Sequence, residues 1–344
     1  MAKAKRATIS DIAEKSGYSK TAVSFAFNCP HRISASARDR ILEIAKELDY
    51  IPDPMARNFS LGRHMSIGFL LPQALESSLD NPFTQQIIMG MGEICNEHGY
   101  VITLIPPYKS SIPDAIKNAT VDGIIAMGIF FDPVITEVMR RRSLPAVAID
   151  GTGQDSAVNV TIDDEQAAFD QMKAVLECGH RNISIVSLPD DAYAAVTPEK
   201  VSTTAERRMN GYIRALSEYS IDIDSVAIAK CDTTLKAGKE TALDLMASSS
   251  PTCFVCMSDI VAMGVRSAII EKGFNCPDDI SVIGFDGIIN PELTGVDLTT
   301  IIQDPREKGR KAAELAFALI RGEEPEQKHL VSYSFHNGET LKNL

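Results

Sequence analysis

Polar residues recur in this chain at one kind of place, the carboxyl end of an apolar run. Asp150 follows LPAVAI, Ser258 and Asp259 follow TCFVCM, Asp286 follows ISVIGF, and Gln303 follows LTTII. Arg208 stands at the start of the helix-like stretch RMNGYIRAL. Carboxylates accept hydrogen bonds, a guanidinium donates them, and an amide does both, so such a set suits hydroxyls, which also do both. One Asp at a strand end is ordinarily a cap or a turn residue. Their recurrence points to a shared cleft for a neutral polyhydroxylated ligand. A second group lies near the N-terminus, where Lys20, Thr21 and Ser24 fall on the outward side of a short helix, Lys20–Phe27, that Ser19 can cap. A cation and hydroxyls so placed can reach base edges in a DNA groove.

Other chemistries find no support. Gly90–Met91–Gly92 lies within a helical pattern and lacks the third Gly of a phosphate turn. Cys253 and Cys256 have CxxC spacing, but inside an apolar run, which favours buried thiols over a redox or zinc site. The six His show no HxxxH spacing and no GxSxG elbow occurs, so neither enzyme activity, a metal nor a cofactor is expected. Arg140–Arg142 reads as a solvated helix end.

The elements that must hold these groups are legible in outline. Thr8 and Asp11 make a capping-box-like start to a first helix, with Ile9, Ile12 and Ala13 on one face. Gly17 tolerates the positive φ of a tight turn, and Val23 and Phe27 face inward from the second helix. A third helix begins after Ser34 and carries Ile41, Ile44, Ala45 and Leu48 at helical spacing. Pattern alone admits a plain three-helix bundle or a helix-turn-helix braced by a third helix. Charge favours the second. Residues 1–63 hold eleven Lys/Arg against seven Asp/Glu, a balance of +4, while the rest carries −16 of the total of −12. A basic head on an acidic body can grip DNA by one end.

Between head and body, Asp53 and Pro54 can start a helix that has two turns before Gly62, too short to stand alone. From Ser66 onward apolar strands alternate with helices: 67–72, 101–105, 121–128, 144–150, then 182–189, 252–257 and 280–286, with helices at 82–98 and 207–219. That alternation predicts an α/β fold of parallel sheets covered on both faces. A weak internal echo, with Pro72 and Pro189 closing strands and Gly92 and Gly211 in helices that lead to GY-V and SID-I strands, suggests two similar doubly wound subdomains with a cleft between them. In 344 residues no apolar run approaches a membrane span, and the N-terminus lacks a signal-like apolar stretch, so a cytoplasmic protein is expected. Seven irregularly spaced cysteines fit a reducing compartment.

ATISDIAEKSGYSKTAVSFAFN and RISASARDRILEIAKELDYIPDPMAR together resemble, over about sixty residues, the DNA-binding head of the lactose/galactose repressor (LacI/GalR) family. ECGHRNISIV, RRMNGYIRALSEYSID, CPDDISVIGFDGI and LTTIIQDPREKGRKAAELAFALIRGE extend the resemblance over nearly the whole chain. It implies a helix-turn-helix domain (1–52), a hinge helix or linker (53–64), and a periplasmic-binding-protein-like core (65–344). The core would divide into an N-subdomain at about 65–161 and 303–328 and a C-subdomain at about 162–302 and 329–344. The implied function is a sequence-specific transcriptional regulator of repressor type, acting as a homodimer on palindromic operator DNA, with a sugar or nucleoside effector. Ser19 would touch phosphate, Lys20 and Thr21 would read bases, Asn28 and Arg38 would fix the backbone, and Thr8, Ser24 and Arg57 would join the DNA-binding set. Phe25 stands where most relatives have Arg. It can touch a thymine methyl but cannot donate. Phe59 takes the place of the hinge Leu that wedges into the minor groove. The implied effector set is Phe83, Asp150, Arg208, Ser258, Asp286 and Gln303. Ser258 replaces a usual Asn, Gly287 a common second Asp, and Pro305 a stacking ring, which leaves the effector's identity open. Two other classes remain at this point, a ligand-binding module of solute-binding type and a doubly wound sugar or nucleotide enzyme.

Overall fold

Among the described residues of the N-terminal unit, Met1–Met65, local chemistry builds three α-helices, Ile9–Ser16, Lys20–Asn28 and Ala35–Glu47. Thr8 and Asp11 form the reciprocal capping box, and Gly17 closes the first helix at φ +76°. Ser19 and Ser34 cap the second and third through the amides of Ala22 and Ala37. Ile12, Val23, Ala26, Ile41, Ile44 and Ala45 form the buried centre, with Ile9, Ala13, Phe27, Leu48 and Tyr50 packed around it. Lys15 and Glu47 join the first and third helices at 2.8 Å. This computed structural model describes residues 7–52, 58, 62–109, 111–151, 157–189 and 203–344. Arg57 and Phe59, with most of the expected hinge at 53–64, lie outside the described residues.

The second unit, Ser66–Leu344, holds two six-stranded sheets. Its strands are β1 (Ser66–Leu70), β2 (Val101–Ile105), β3 (Gly123–Met127), β4 (Ala146–Ile149), β5 (Val158–Thr161), β6 (Ile183–Ser187), β7 (Ala227–Lys230), β8 (Cys253–Cys256), β9 (Ser281–Asp286), β10 (Thr300–Gln303), β11 (Lys328–Leu330) and β12 (Tyr333–His336). The first sheet runs β11-β5-β4-β3-β1-β2, every pairing parallel. The second runs β12-β10-β9-β8-β6-β7 and departs from the expected parallel pattern only at β12, an antiparallel edge strand. β1, β6, β8 and β9 are buried along their whole length, as strands covered on both faces must be. The SID segment, Ser220–Asp222, leads into a turn of 3-10 helix, Ile223–Ser225, so the strand expected there begins only at Ala227.

The chain passes between the sheets three times, after β5, after β10 and after β11. Because β11 pairs with β5, the first sheet keeps the chain as far as Leu330, two residues past the expected boundary at 328. The helix Pro305–Ile320 returns against the first sheet and crosses Pro82–Glu97 closely, since a Cβ at Gly90 would collide with the Arg306 carbonyl. Gly211 does the same for the helix Thr204–Glu218 against Asp164–Glu177, where a Cβ would meet the Glu165 carbonyl. The internal echo is therefore Gly90 with Gly211. Gly92, named from the sequence, makes no such approach. Among the described residues no helix is long and apolar enough to cross a membrane.

Candidate functional site

The six residues of the implied effector set line one cavity of about 460 Å³ in the second unit, whereas Asp259, grouped with them at a strand end, is fully buried behind it and accepts from Thr300 and the Ile288 amide. Asp150, Ser258, Asp286 and Gln303 come from the carboxyl ends of β4, β8, β9 and β10, where ligands bind in open parallel sheets. Phe83 enters from the first turn of Pro82–Glu97, whose N-cap Asn81 accepts the Phe83 amide at 2.9 Å. Arg208 comes from Thr204–Glu218, which opens with a Thr203–Glu206 capping box. Two of the carboxylates sit on strained backbone, Asp150 at φ +51° and Asp286 at φ +134°. L-residues hold such angles only where the surroundings impose them, and these cluster at functional sites.

Two buried charge networks back the cavity. In one, Lys308 is fully buried and its Nζ donates to both oxygens of Asp150, at 2.6 and 2.8 Å, and to Gln303 Oε1 at 2.5 Å. Gln303 Nε2 then donates to Asp286 Oδ1 at 2.7 Å. In the other, Arg208 donates from Nε to Asp164 Oδ1 at 3.0 Å and from Nη1 to the Met257 carbonyl at 2.6 Å. Its guanidinium lies 3.6 Å from the centre of the Phe285 ring, and Nη2 makes no hydrogen bond among the described residues. Arg207 takes the second oxygen of Asp164 at 2.9 Å. Burial would push Asp164 up, yet Arg208 and Arg207 outweigh it and hold the carboxyl below its usual range.

Asp286 answers differently. Burial pushes it up to about 7 against the pull of Arg208, with the Asp259 charge adding to the rise. Burial likewise brings Asp259 to about 6, although Thr300 and the Ile288 amide donate to it. The buried Ser258 hydroxyl lies near enough to ease the Asp286 charge, yet it forms no hydrogen bond of good geometry. A buried hydroxyl in that condition on a cavity wall is a natural ligand contact. Phe83, Met127, Ile129 and Leu188 add an apolar wall. The cavity thus offers spare donors at Arg208, a carboxyl poised near neutrality and a free hydroxyl, beside apolar surface.

Sequence reasoning missed Lys308 and Asp164. Both carried a signal, since each falls on the buried face of its helix: Lys308 with Ala312 and Ala316, Asp164 with Ala168, Gln171 and Val175. Arg142 was also misjudged as solvated. Arg140 and Arg141 do pair with Glu137 at the surface, but Arg142 Nη1 donates to the carbonyls of Ile116 and Ala119 and closes the helix Ile112–Asn118. The cysteines of the described residues are free, and burial drives Cys253 and Cys256 well above the usual thiol range. Among the described residues no group of three or more His, Cys, Asp or Glu is placed to hold a metal.

In the first unit, Lys20 and Thr21 are exposed on the first turn of Lys20–Asn28, directly after the Ser19 cap. Ser24 and Phe25 are half-buried one turn on. Asn28 Nδ2 donates to Ser24 Oγ at 3.3 Å. Arg38 is exposed on the third helix, and the Thr8 hydroxyl is engaged with Asp11 at 2.7 Å.

Known proteins match both units. Residues 8–53 match the family model for bacterial regulatory proteins of the lacI family, and residues 172–341 match that of a periplasmic binding protein-like domain. The HTH-type transcriptional repressor CytR of Escherichia coli (strain K12) is 30% identical over 327 residues, covering 92% of this chain and 91% of that protein. A crystal structure of a LacI-family transcriptional regulator from Corynebacterium glutamicum is 26% identical at a TM-score of 0.69, covering 98% of this chain and 100% of the other. The lac repressor dimer bound to operator and the anti-inducer ONPF shares the fold, with a TM-score of 0.79 at 23% identity over 98% of this chain and 100% of that one.

Proposed function

The chain belongs to the lacI family of bacterial regulatory proteins, and from that premise we propose how its two units divide the work. It is a helix-turn-helix transcriptional regulator, and the family is one of regulators, not enzymes. The first unit binds operator DNA, with Lys20 and Thr21 at the base edges, Ser19 and Arg38 on phosphates, and Ser24, Phe25 and Asn28 along the same helix. One such unit covers half a palindrome, so the protein acts as a homodimer. Arg57 and Phe59 extend the contact, Phe59 as a minor-groove wedge at the operator centre. The second unit takes a small polar effector, a sugar or nucleoside, between Phe83, Asp150, Arg208, Ser258, Asp286 and Gln303. Work on operator DNA supports a cytoplasmic location for the protein.

The observation that carries this reading is the convergence of six separately positioned residues on one cavity, in a chain whose basic head is a capped helix-turn-helix. DNA binding is tested by titrating full-length protein and residues 66–344 onto duplexes that the full-length protein selects from a random pool. Full-length affinity is expected to fall steeply with salt, because each neutralised phosphate releases counterions. The fragment is expected to show no specific binding at any salt. Equal affinity of the two proteins would reverse the division of labour.

A further inference from the structure

Phe25 brings no hydrogen-bonding group to the DNA-reading helix, but it carries a cation from outside it. The guanidinium of Arg32 lies over the Phe25 ring, with Cζ 5.5 Å from the centroid. Arg32 ends the single 3-10 turn Pro30–Arg32, is exposed, and forms no ion pair among the described residues. Backbone hydrogen bonds fix the spacing between the two residues. The Cys29 amide donates to the Phe25 carbonyl at 2.9 Å, and the Arg32 amide to the Cys29 carbonyl at 2.9 Å. Pro30 between them locks one φ.

We propose that Arg32, seated on Phe25, is a DNA-contacting residue of the head, delivering to the far end of the reading helix a cation that the helix itself lacks. A guanidinium held over a ring by the pull of its charge on the ring face leaves the N–H groups turned away from the ring free to donate. Those groups can grip a backbone phosphate or the O6 and N7 of guanine. Arg32 makes the contact, and Phe25 is the residue that positions it. The inference rests on the DNA-binding role of the head.

The test uses full-length protein, a duplex it selects from a random pool, and an unrelated duplex of equal length. Arg32→Ala is expected to lower affinity for the selected duplex about tenfold. If the partner is phosphate, the slope of log affinity against log salt drops by about 0.9 and both duplexes suffer alike. If it is guanine, the slope holds and only the selected duplex suffers. Phe25→Ala, which removes no charge, should reproduce most of the loss, and the double variant should lose no more than Arg32→Ala alone. Phe25→Arg in the Arg32→Ala background should restore affinity by putting the guanidinium on the helix itself, which repair of a merely structural defect would not do. Wild-type affinity and slope in Arg32→Ala, or losses that add in the double variant, would overturn the proposal. Lys20→Ala is measured alongside. If it weakens binding while Arg32→Ala does not, only Arg32 loses its role; if neither does, the head's DNA reading falls as well.

Discussion

Arg208→Met is expected to destabilise the second unit by about 3–5 kcal/mol near neutral pH, because a buried ion pair broken on one side leaves the other charge stranded. The stranded group is Asp164, 1% exposed, whose two oxygens are held by Arg208 and Arg207. In the wild type its carboxyl is held below the usual range, so its stabilising contribution is present above the unfolded pKa and is lost as pH falls through the folded value. Without Arg208, only Arg207 and the more distant Lys308 charge oppose burial, so the folded pKa is expected to rise past the unfolded one and the sign to reverse. The native variant then binds the proton more readily than its unfolded chain, so its deficit should be largest above the folded pKa and shrink in acid. Asp286 adds in the same direction, since Arg208 also pulls its carboxyl down. Urea unfolding followed by circular dichroism at pH 5 and pH 7.5 checks this. Arg208→Met/Asp164→Leu should recover most of the loss. A variant as stable as wild type, or a deficit that grows in acid, would show that the pair does not hold the unit together.

Lys308→Met should cost nearly as much, about 3 kcal/mol. Met keeps the volume of the Lys stem, so what is lost is the ammonium that holds Asp150 and Gln303. Asp150 is left with a nearly buried carboxylate on strained backbone. Asp150→Asn in the same chain removes that charge and should return at least half of the loss. Thermal unfolding of the single and double variants separates this from an exposed lysine, whose removal would change stability by no more than about 0.5 kcal/mol.

These two residues also mark where the sequence stops being readable. The head was legible because its determinants are local. The Thr8–Asp11 box, the left-handed Gly17 and the Ser19 and Ser34 caps each act within a few residues. The central strands were legible because burial on both faces writes a continuous apolar run. β7 alternates between half-buried and exposed residues, and β11 has only three residues, so neither writes such a run. Lys308 meets Asp150 across 158 positions, and Arg208 meets Asp164 across 44. Nothing local separates a lysine aimed at a distant carboxylate from one in solvent, except its place on the buried face of a helix. The six cavity residues came instead through the strand-end pattern and the family resemblance, and that pattern holds because parallel sheets put every strand's carboxyl end on one side. Arg208 also proves a poor probe of ligand binding alone, since removing it endangers the fold. Asp286 serves better. An Asn there keeps the shape and still accepts from Gln303.

The most direct test of a cleft ligand acting on a DNA-binding head is therefore a linkage measurement. Sugars and nucleosides that raise the melting temperature of the full-length protein would be carried into titrations of the selected duplex, for wild type and Asp286→Asn. A coupling of 1–3 kcal/mol, typical of allosteric sites, corresponds to about a 5- to 150-fold change in DNA affinity. The result expected is such a change in wild type, its loss in Asp286→Asn, and equal ligand-free affinity in both. A ligand that calorimetry shows bound to wild type while its DNA affinity stays unchanged would contradict it.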